Sequence, residues 1–260
     1  MNSRFFVLLL ALTAPSLAGC DLVRQTEVEG MLELPSISAS DRIIEYEGFT
    51  VSYNTENLIP DWVAYELTAE EADHRAERED TRFSMDMSFD GPQAMREDYS
   101  GSGWTKGHMA PAADFLWSDD AREETFYLIN ICPQKEELNR KDWQYLEKQV
   151  RKWAIEYDKV WVVTGPIVGQ NRYGTIGEQE VVVPDAFFKT LLVYDGFEYQ
   201  GVAFVMNNDA GRYYLEKVAM SIDDLEKKTG IDFFPALPDD IEDAAEAAYD
   251  PSVWGLRADR

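Results

Sequence analysis

The stretch Asn139-Arg-Lys-Asp-Trp-Gln-Tyr-Leu-Glu-Lys-Gln-Val-Arg-Lys-Trp-Ala-Ile-Glu-Tyr157 decides the fold class. Its apolar residues Trp143, Leu146, Val150, Trp153, Ala154 and Tyr157 are spaced 3, 4, 3, 1 and 3, which predicts one apolar stripe along a helix of about five turns. On either side of it the chain consists of short runs rich in β-branched and aromatic residues, bounded by Gly, Pro or Asn. Residues 43–46, 49–53 and 62–67 precede the helix as expected strands, and residues 159–164, 181–183, 187–194 and 199–206 follow it. A shorter helix is expected over 221–229, stopped by Gly230. Strands before and after one long helix predict an α+β domain with a largely antiparallel central sheet and flanking helices.

A chain of 260 residues with 45% hydrophobic and 13% aromatic content can bury a sizeable core, and residues 42–240 are expected to form one domain. The balance of 24 basic against 49 acidic residues gives a net charge of -25, which excludes a protein that coats nucleic acid by bulk electrostatics. The acid is unevenly spread: residues 239–250 carry six acids and no base, whereas residues 135–159 hold seven bases against six acids, so the long helix is near neutral. Residues 241–260 read as an acidic C-terminal tail.

The first residues resemble a bacterial lipoprotein signal. Arg4 is followed by the apolar run Phe5 to Leu12 and then by Leu17-Ala-Gly-Cys20. That resemblance implies cleavage of residues 1–19, a lipid on Cys20, a spacer over 20–41 and an exported cell-envelope protein tethered to a membrane. Cys132 is then without a disulfide partner. It lies in Phe126-Tyr-Leu-Ile-Asn-Ile-Cys132, which reads as a buried strand with an inert thiol.

Only two histidines are candidates for acid–base chemistry near neutrality. His74 sits in a highly charged run and reads as a solvated surface residue. His108 sits in Ser102-Gly-Trp-Thr-Lys-Gly-His-Met-Ala-Pro-Ala-Ala-Asp114, where the glycines permit close backbone approach. Further blocks follow: Asn130-Ile-Cys-Pro-Gln134, the pair Asn139 and Glu147 on the helix, Thr164-Gly-Pro166, Val183-Pro-Asp-Ala-Phe187 with Lys189, and Leu225-Glu-Lys-Lys-Thr-Gly230 leading to Leu237-Pro-Asp-Asp240.

In this order these blocks resemble the DNA/RNA non-specific endonucleases, the ββα-metal nucleases, over about residues 43 to 240. The resemblance implies a ββα-metal active-site motif, DNA and RNA as substrates, and cleavage to 5′-phosphate oligonucleotides. Carried over by position, it makes His108 the general base and Asn139 the ligand of a divalent cation, Mg²⁺ or Mn²⁺. Glu147, eight residues and about 80° further round an ideal helix, would hold a water of that cation. The family's Asp-Arg before Gly-His is here Thr105-Lys106, which keeps a positive charge but loses the carboxylate and the bidentate fork. Lys106, Arg140 and Arg82 (with Arg78 beside it) are the expected phosphate contacts, and Trp104, Trp143 and Trp153 are expected in the core. The net acidity predicts a raised His108 pKa and an alkaline optimum. A homologue that binds without cutting, and a phosphodiesterase of another anionic substrate, are the alternatives that Thr105 and the acidity leave open.

Overall fold

Val160-Trp161-Val162-Val163 contains no polar alternation, which in an antiparallel sheet requires both faces to be covered. In the structure, a computed structural model that describes residues 27–75 and 81–257, both faces are covered. Val160 and Val162 enter one core with Trp143, Leu146, Val150 and Trp153, while Trp161 and Val163 enter a second with Ile222, Leu225, Phe233 and Ala245. Each fully buried large apolar side chain contributes roughly 1.5–3 kcal/mol, so two such layers dominate the stability of the domain.

In chain order the strands are β1 (Ile43–Glu45), β2 (Thr50–Asn54), β3 (Ile59–Thr68), β4 (Thr105–His108), β5 (Ile131–Gln134) and β6 (Lys159–Ile167). They continue with β7 (Thr175–Ile176), β8 (Val181–Val182), β9 (Ala186–Tyr194), β10 (Tyr199–Asn207) and β11 (Ala219–Met220). The helices are α1 (Ala69–Asp73), α2 (Asp119–Glu124), α3 (Gln144–Tyr157), α4 (Leu215–Val218), α5 (Ile222–Thr229) and α6 (Asp239–Glu246). Seven strands form the central sheet in the order β1-β2-β3-β6-β9-β10-β11, with every neighbouring pair antiparallel. The α+β class and the antiparallel sheet are as expected from sequence. No helix among the described residues is long and apolar enough to cross a membrane.

Two expected elements differ. The apolar run ending at Cys132 is not one strand: a 3₁₀ turn over Leu128–Asn130 interrupts it, and only Ile131–Gln134 pairs as β5. The long helix is α-helical only from Gln144; Leu138–Trp143 forms a π turn ahead of it. Asp158, with a positive φ of 72°, ends α3, and its carbonyl accepts from Ala69 N at 2.7 Å. Gly230 caps α5 where expected.

Both segments flanking the expected domain pack upon it. Leu32 is fully buried in the second core, and Ser36 N donates to Asp232 O at 2.9 Å, so the later part of the expected spacer is folded. At the other end α6 lies against β10, and the Trp254 ring meets the Trp153 ring at 90° with centroids 5.1 Å apart. Tyr157 Oη also donates to Val253 O at 2.6 Å, so the acidic C-terminal stretch is clasped to α3 instead of trailing free. The expected leader, Cys20 and Arg78 lie outside the described residues.

Candidate active site

His108 is the last residue of β4, which pairs antiparallel with β5 in the register Thr105↔Gln134, Lys106↔Pro133, Gly107↔Cys132 and His108↔Ile131. Gly107 is required there because a Cβ on it would overlap the Gln134 side chain. The imidazole packs between Phe83 and Phe126, with ring centroids 5.2 and 5.1 Å away. Its Nε2 is buried and has no hydrogen-bond partner among the described residues. Burial lowers the His108 pKa from its usual 6.5 to about 4. This corrects the expected upward shift: the chain's acidic groups act at a distance through solvent, whereas dehydration by the two phenyl rings acts at the imidazole itself.

Two buried asparagines fix this ribbon. Asn130 accepts from Ala110 N and donates to Ala110 O and Thr125 O, all at 2.9 Å, so the chain leaving His108 is clamped on both of its polar groups. Asn208 accepts from Lys135 N at 2.8 Å and donates to Pro133 O at 3.0 Å and Pro184 O at 2.9 Å, which fixes the exit of β5. Asn130 belongs to a recognisable block, but Asn208 sits in Asn207-Asn-Asp209, which in sequence resembles any turn.

Asn139 follows β5 on the π turn. Its Nδ2 donates to Thr105 Oγ1 at 3.0 Å and to Lys106 O at 3.3 Å. Thr105 Oγ1 spends its own proton on Gln134 O at 2.8 Å, so it can only accept from Asn139. Both groups facing the carboxamide are acceptors, and this fixes its orientation: the NH₂ group faces β4 and Oδ1 is left without a described protein donor. Thr105 therefore does orient Asn139, although it is not a carboxylate. The π turn has a second effect. Its i→i+5 bonding underwinds the helix and closes much of the 80° offset between Asn139 and Glu147 expected for an ideal α-helix. Both side chains line one cleft of about 290 Å³, together with His108, Pro111, Arg122 and Phe126.

Behind Glu147 lies a buried charge cluster. Asp114, fully buried, pairs with Arg151 Nη1 and accepts from Tyr65 Oη at 2.9 Å. Arg151, four residues after Glu147 on α3, is turned inward to Asp114. Lys189, also fully buried, holds Nζ 5.1 Å from the Trp143 ring centroid and has no hydrogen-bond partner among the described residues. Burial raises the Glu147 pKa against the pull of Lys189 and Arg151, and burial lowers that of Lys189. Two carboxylates and two cations are thereby matched in one dry region.

The expected phosphate contacts are placed less uniformly. Lys106 turns away from the cleft, with Nζ 4.8 Å from the Tyr99 ring centroid and 5.6 Å from that of Phe83. Burial and then Arg96 lower its pKa. Arg140 is exposed and pairs with Glu136 at 3.2 Å, the i,i+4 partner on its own turn. Arg82 is exposed and outside the cleft lining. The arginine that does line the cleft is Arg122, buried to 7% exposure, with Nη1 donating to Thr81 Oγ1 at 3.0 Å. Its surroundings, Asp119-Asp-Ala-Arg-Glu-Glu124, read in sequence as an ordinary surface helix. His74 is exposed at the end of α1. Trp143 and Trp153 are core, and the half-buried Trp104 ring meets Tyr173 at 5.1 Å.

A two-stranded ribbon and the helix after it, enclosing one polar cleft beside an antiparallel sheet, define an α+β protein with a ββα site. The sequence pattern of the family described as DNA/RNA non-specific endonuclease matches residues 33–240. The chain belongs to that family. It is 36% identical over 227 residues to the mitochondrial nuclease EXOG of Danio rerio, a match covering 81% of this chain and 65% of the relative. It is 33% identical over 202 residues to the mitochondrial endonuclease G of Homo sapiens, covering 73% and 68%, and 32% identical over 226 residues to nuclease C1 of Cunninghamella echinulata var. echinulata, covering 80% and 89%. The chain thus spans just under two thirds of the length of the zebrafish relative. A crystal structure of an EndoG/EndoGI complex superposes with a TM-score of 0.74 at 28% identity, covering 81% of this chain and 92% of that one. The expected placement as a cell-envelope lipoprotein is corrected by these matches, because the EXOG and endonuclease G relatives are mitochondrial nucleases by name.

Proposed function

We propose that the cleft hydrolyses phosphodiester bonds in DNA and RNA without reading base sequence, leaving 5′-phosphate ends, with the help of one divalent cation. The observation that carries this reading is that His108 Nε2 and Asn139 Oδ1, neither with a described protein partner, belong to side chains that line the same cleft. The nuclease names borne by the relatives support it.

Lowered to about 4, the His108 pKa leaves the imidazole neutral at pH 7 and able to take a proton from the attacking water. Asn130 holds the backbone that aims it, through Ala110. Arg122 supplies a guanidinium at the cleft wall for the anionic oxygens of the phosphate, and Arg140 offers charge to flanking phosphates from its exposed turn. Lys106 adds positive charge beneath the ribbon. The donor set fits a hard ion that keeps most of its waters: one neutral carboxamide oxygen, pre-aimed by Thr105, with the Glu147 carboxylate lining the same cleft to hold one of those waters. Such an ion, Mg²⁺ or Mn²⁺, would screen the phosphate charge and that of the departing oxygen.

The test is nicking of supercoiled plasmid and cleavage of single-stranded RNA, with Mg²⁺ or EDTA, beside His108→Ala and Asn139→Ala. Cleavage of both substrates by wild type alone, and only with Mg²⁺, is expected. Equal cleavage by His108→Ala would remove its assignment as the base. Mobility shift of DNA without any cleavage would instead favour a homologue that binds and does not cut.

A further inference from the structure

On the sheet face opposite the cleft, α5 and α6 are drawn together over β10. Gly201 of that strand makes this possible: a Cβ there would lie 2.6 Å from both Ala245 O of α6 and Ile222 Cδ1 of α5. The close approach brings together three carboxylates, Asp223 and Glu226 one turn apart on α5 and Glu246 at the end of α6. One oxygen from each lies within 4.8 Å of the others. Glu246 is only 5% exposed, and its Oε1 has no hydrogen-bond partner among the described residues.

A buried carboxylate without a partner is costly, and here its surroundings worsen the cost. Glu226, Glu242, Asp223 and Asp232 all bear on it, and each is acidic. Its position at the carbonyl end of α6 favours a cation and opposes an anion. Lys227, the basic residue of α5 that acts on Glu226, is exposed and bonded to Asp224 at 3.0 Å. Glu226 commits one oxygen to Phe233 N at 2.8 Å and keeps the other available. Two oxygens bound to one Ca²⁺ stand at most about 5 Å apart, twice the usual bond length, and that ion accepts several carboxylates in irregular geometry where Mg²⁺ takes one or two.

We propose that Asp223, Glu226 and Glu246 form a second cation site, structural in role and suited to Ca²⁺, that ties α5 to α6 away from the catalytic cleft. Its competitor is a proton, since burial and the four acidic neighbours push the Glu246 carboxyl up to about 9.

The test uses the full chain carrying Asn139→Ala, so that the cleft does not contribute, titrated calorimetrically with CaCl₂ after chelation. One Ca²⁺ per chain is expected, with a rise in melting temperature of roughly 5–10 °C at a hundredfold excess over the dissociation constant. Adding Glu246→Gln or, at the more accessible edge, Asp223→Asn should abolish both the heat and the rise, while either change alone leaves Mg²⁺-dependent plasmid nicking within about twofold of wild type. Glu246→Gln, relieved of charge repulsion, should melt no lower than its parent in chelator. No Ca²⁺ response in the Asn139→Ala chain, or an undiminished one after Asp223→Asn, overturns the site and leaves a protonated Glu246 in its place.

Discussion

Thr105 Oγ1 lies 3.0 Å from Asn139 Nδ2 and accepts its hydrogen bond while donating to Gln134 O. This hydroxyl sets which end of the Asn139 carboxamide faces the cleft. Thr105→Val removes both bonds at almost constant volume, and should raise the Mg²⁺ concentration for half-maximal nicking by about 10–100-fold. Thr105→Ser should stay near wild type. An unchanged Mg²⁺ requirement in the valine variant would falsify the orienting role.

The pH profile of cleavage follows from the downward shift of His108. A base with a pKa of about 4 is neutral through pH 6 to 8, so kcat/KM should stay flat as pH falls through that range and drop only below about pH 5. Stability follows the same sign. Between the usual 6.5 and about 4 the unfolded chain binds a proton that folded His108 refuses, so this residue's contribution to stability is intact above 6.5 and declines as pH falls toward 4. A midpoint near 6.5 in kcat/KM would mean that the imidazole is hydrated in the working enzyme.

Arg151→Met strands the fully buried Asp114 with only Tyr65 and Lys189 for compensation. Loss of one partner from a buried ion pair typically costs about 3–5 kcal/mol, which urea unfolding at pH 7 should show. Because Asp114 can regain neutrality by taking up a proton, the deficit should shrink as pH is lowered. A loss below about 1 kcal/mol would place the pair among ordinary surface bridges.

Arg122 and Arg82 are distinguished by a pair of variants. Arg122→Lys keeps the charge but loses the planar fork, and should lower kcat/KM about tenfold or more with little change in melting temperature. Arg82→Ala, on an exposed residue outside the cleft, should remain within about twofold. The reverse ranking would return the phosphate contact to Arg82.

The fold was legible because its determinants are local or periodic. Trp143 to Tyr157 draws a stripe that packing on a sheet must cover, and Val160-Trp-Val-Val163 has no polar face to leave in water. Within the site, His108, Asn139 and Glu147 stood out through the blocks around them, and the structure brings all three to one cleft. What escaped depends on neighbours distant in sequence. Arg122 looks like one charge among acids until Thr81 and the cleft are in place, and Lys106 turns aside because Tyr99 and Phe83 offer their ring faces. Residues 241–260 read as tail by charge, yet Ala245 and Trp254 are anchors, each identifiable only by the surface it meets.

The π turn over Leu138–Trp143 makes chain length itself part of the active site. A turn of this kind holds one residue more than the α-helix it interrupts. Deleting one residue between Asn139 and Glu147 would let the segment relax to ordinary helix, leaving seven residues that turn through about 700°, so the two side chains would still share one face. Straightening the turn with every residue kept would instead part the pair by about 80°, so the two halves of the cleft stay in phase only because the extra residue is stored in this turn.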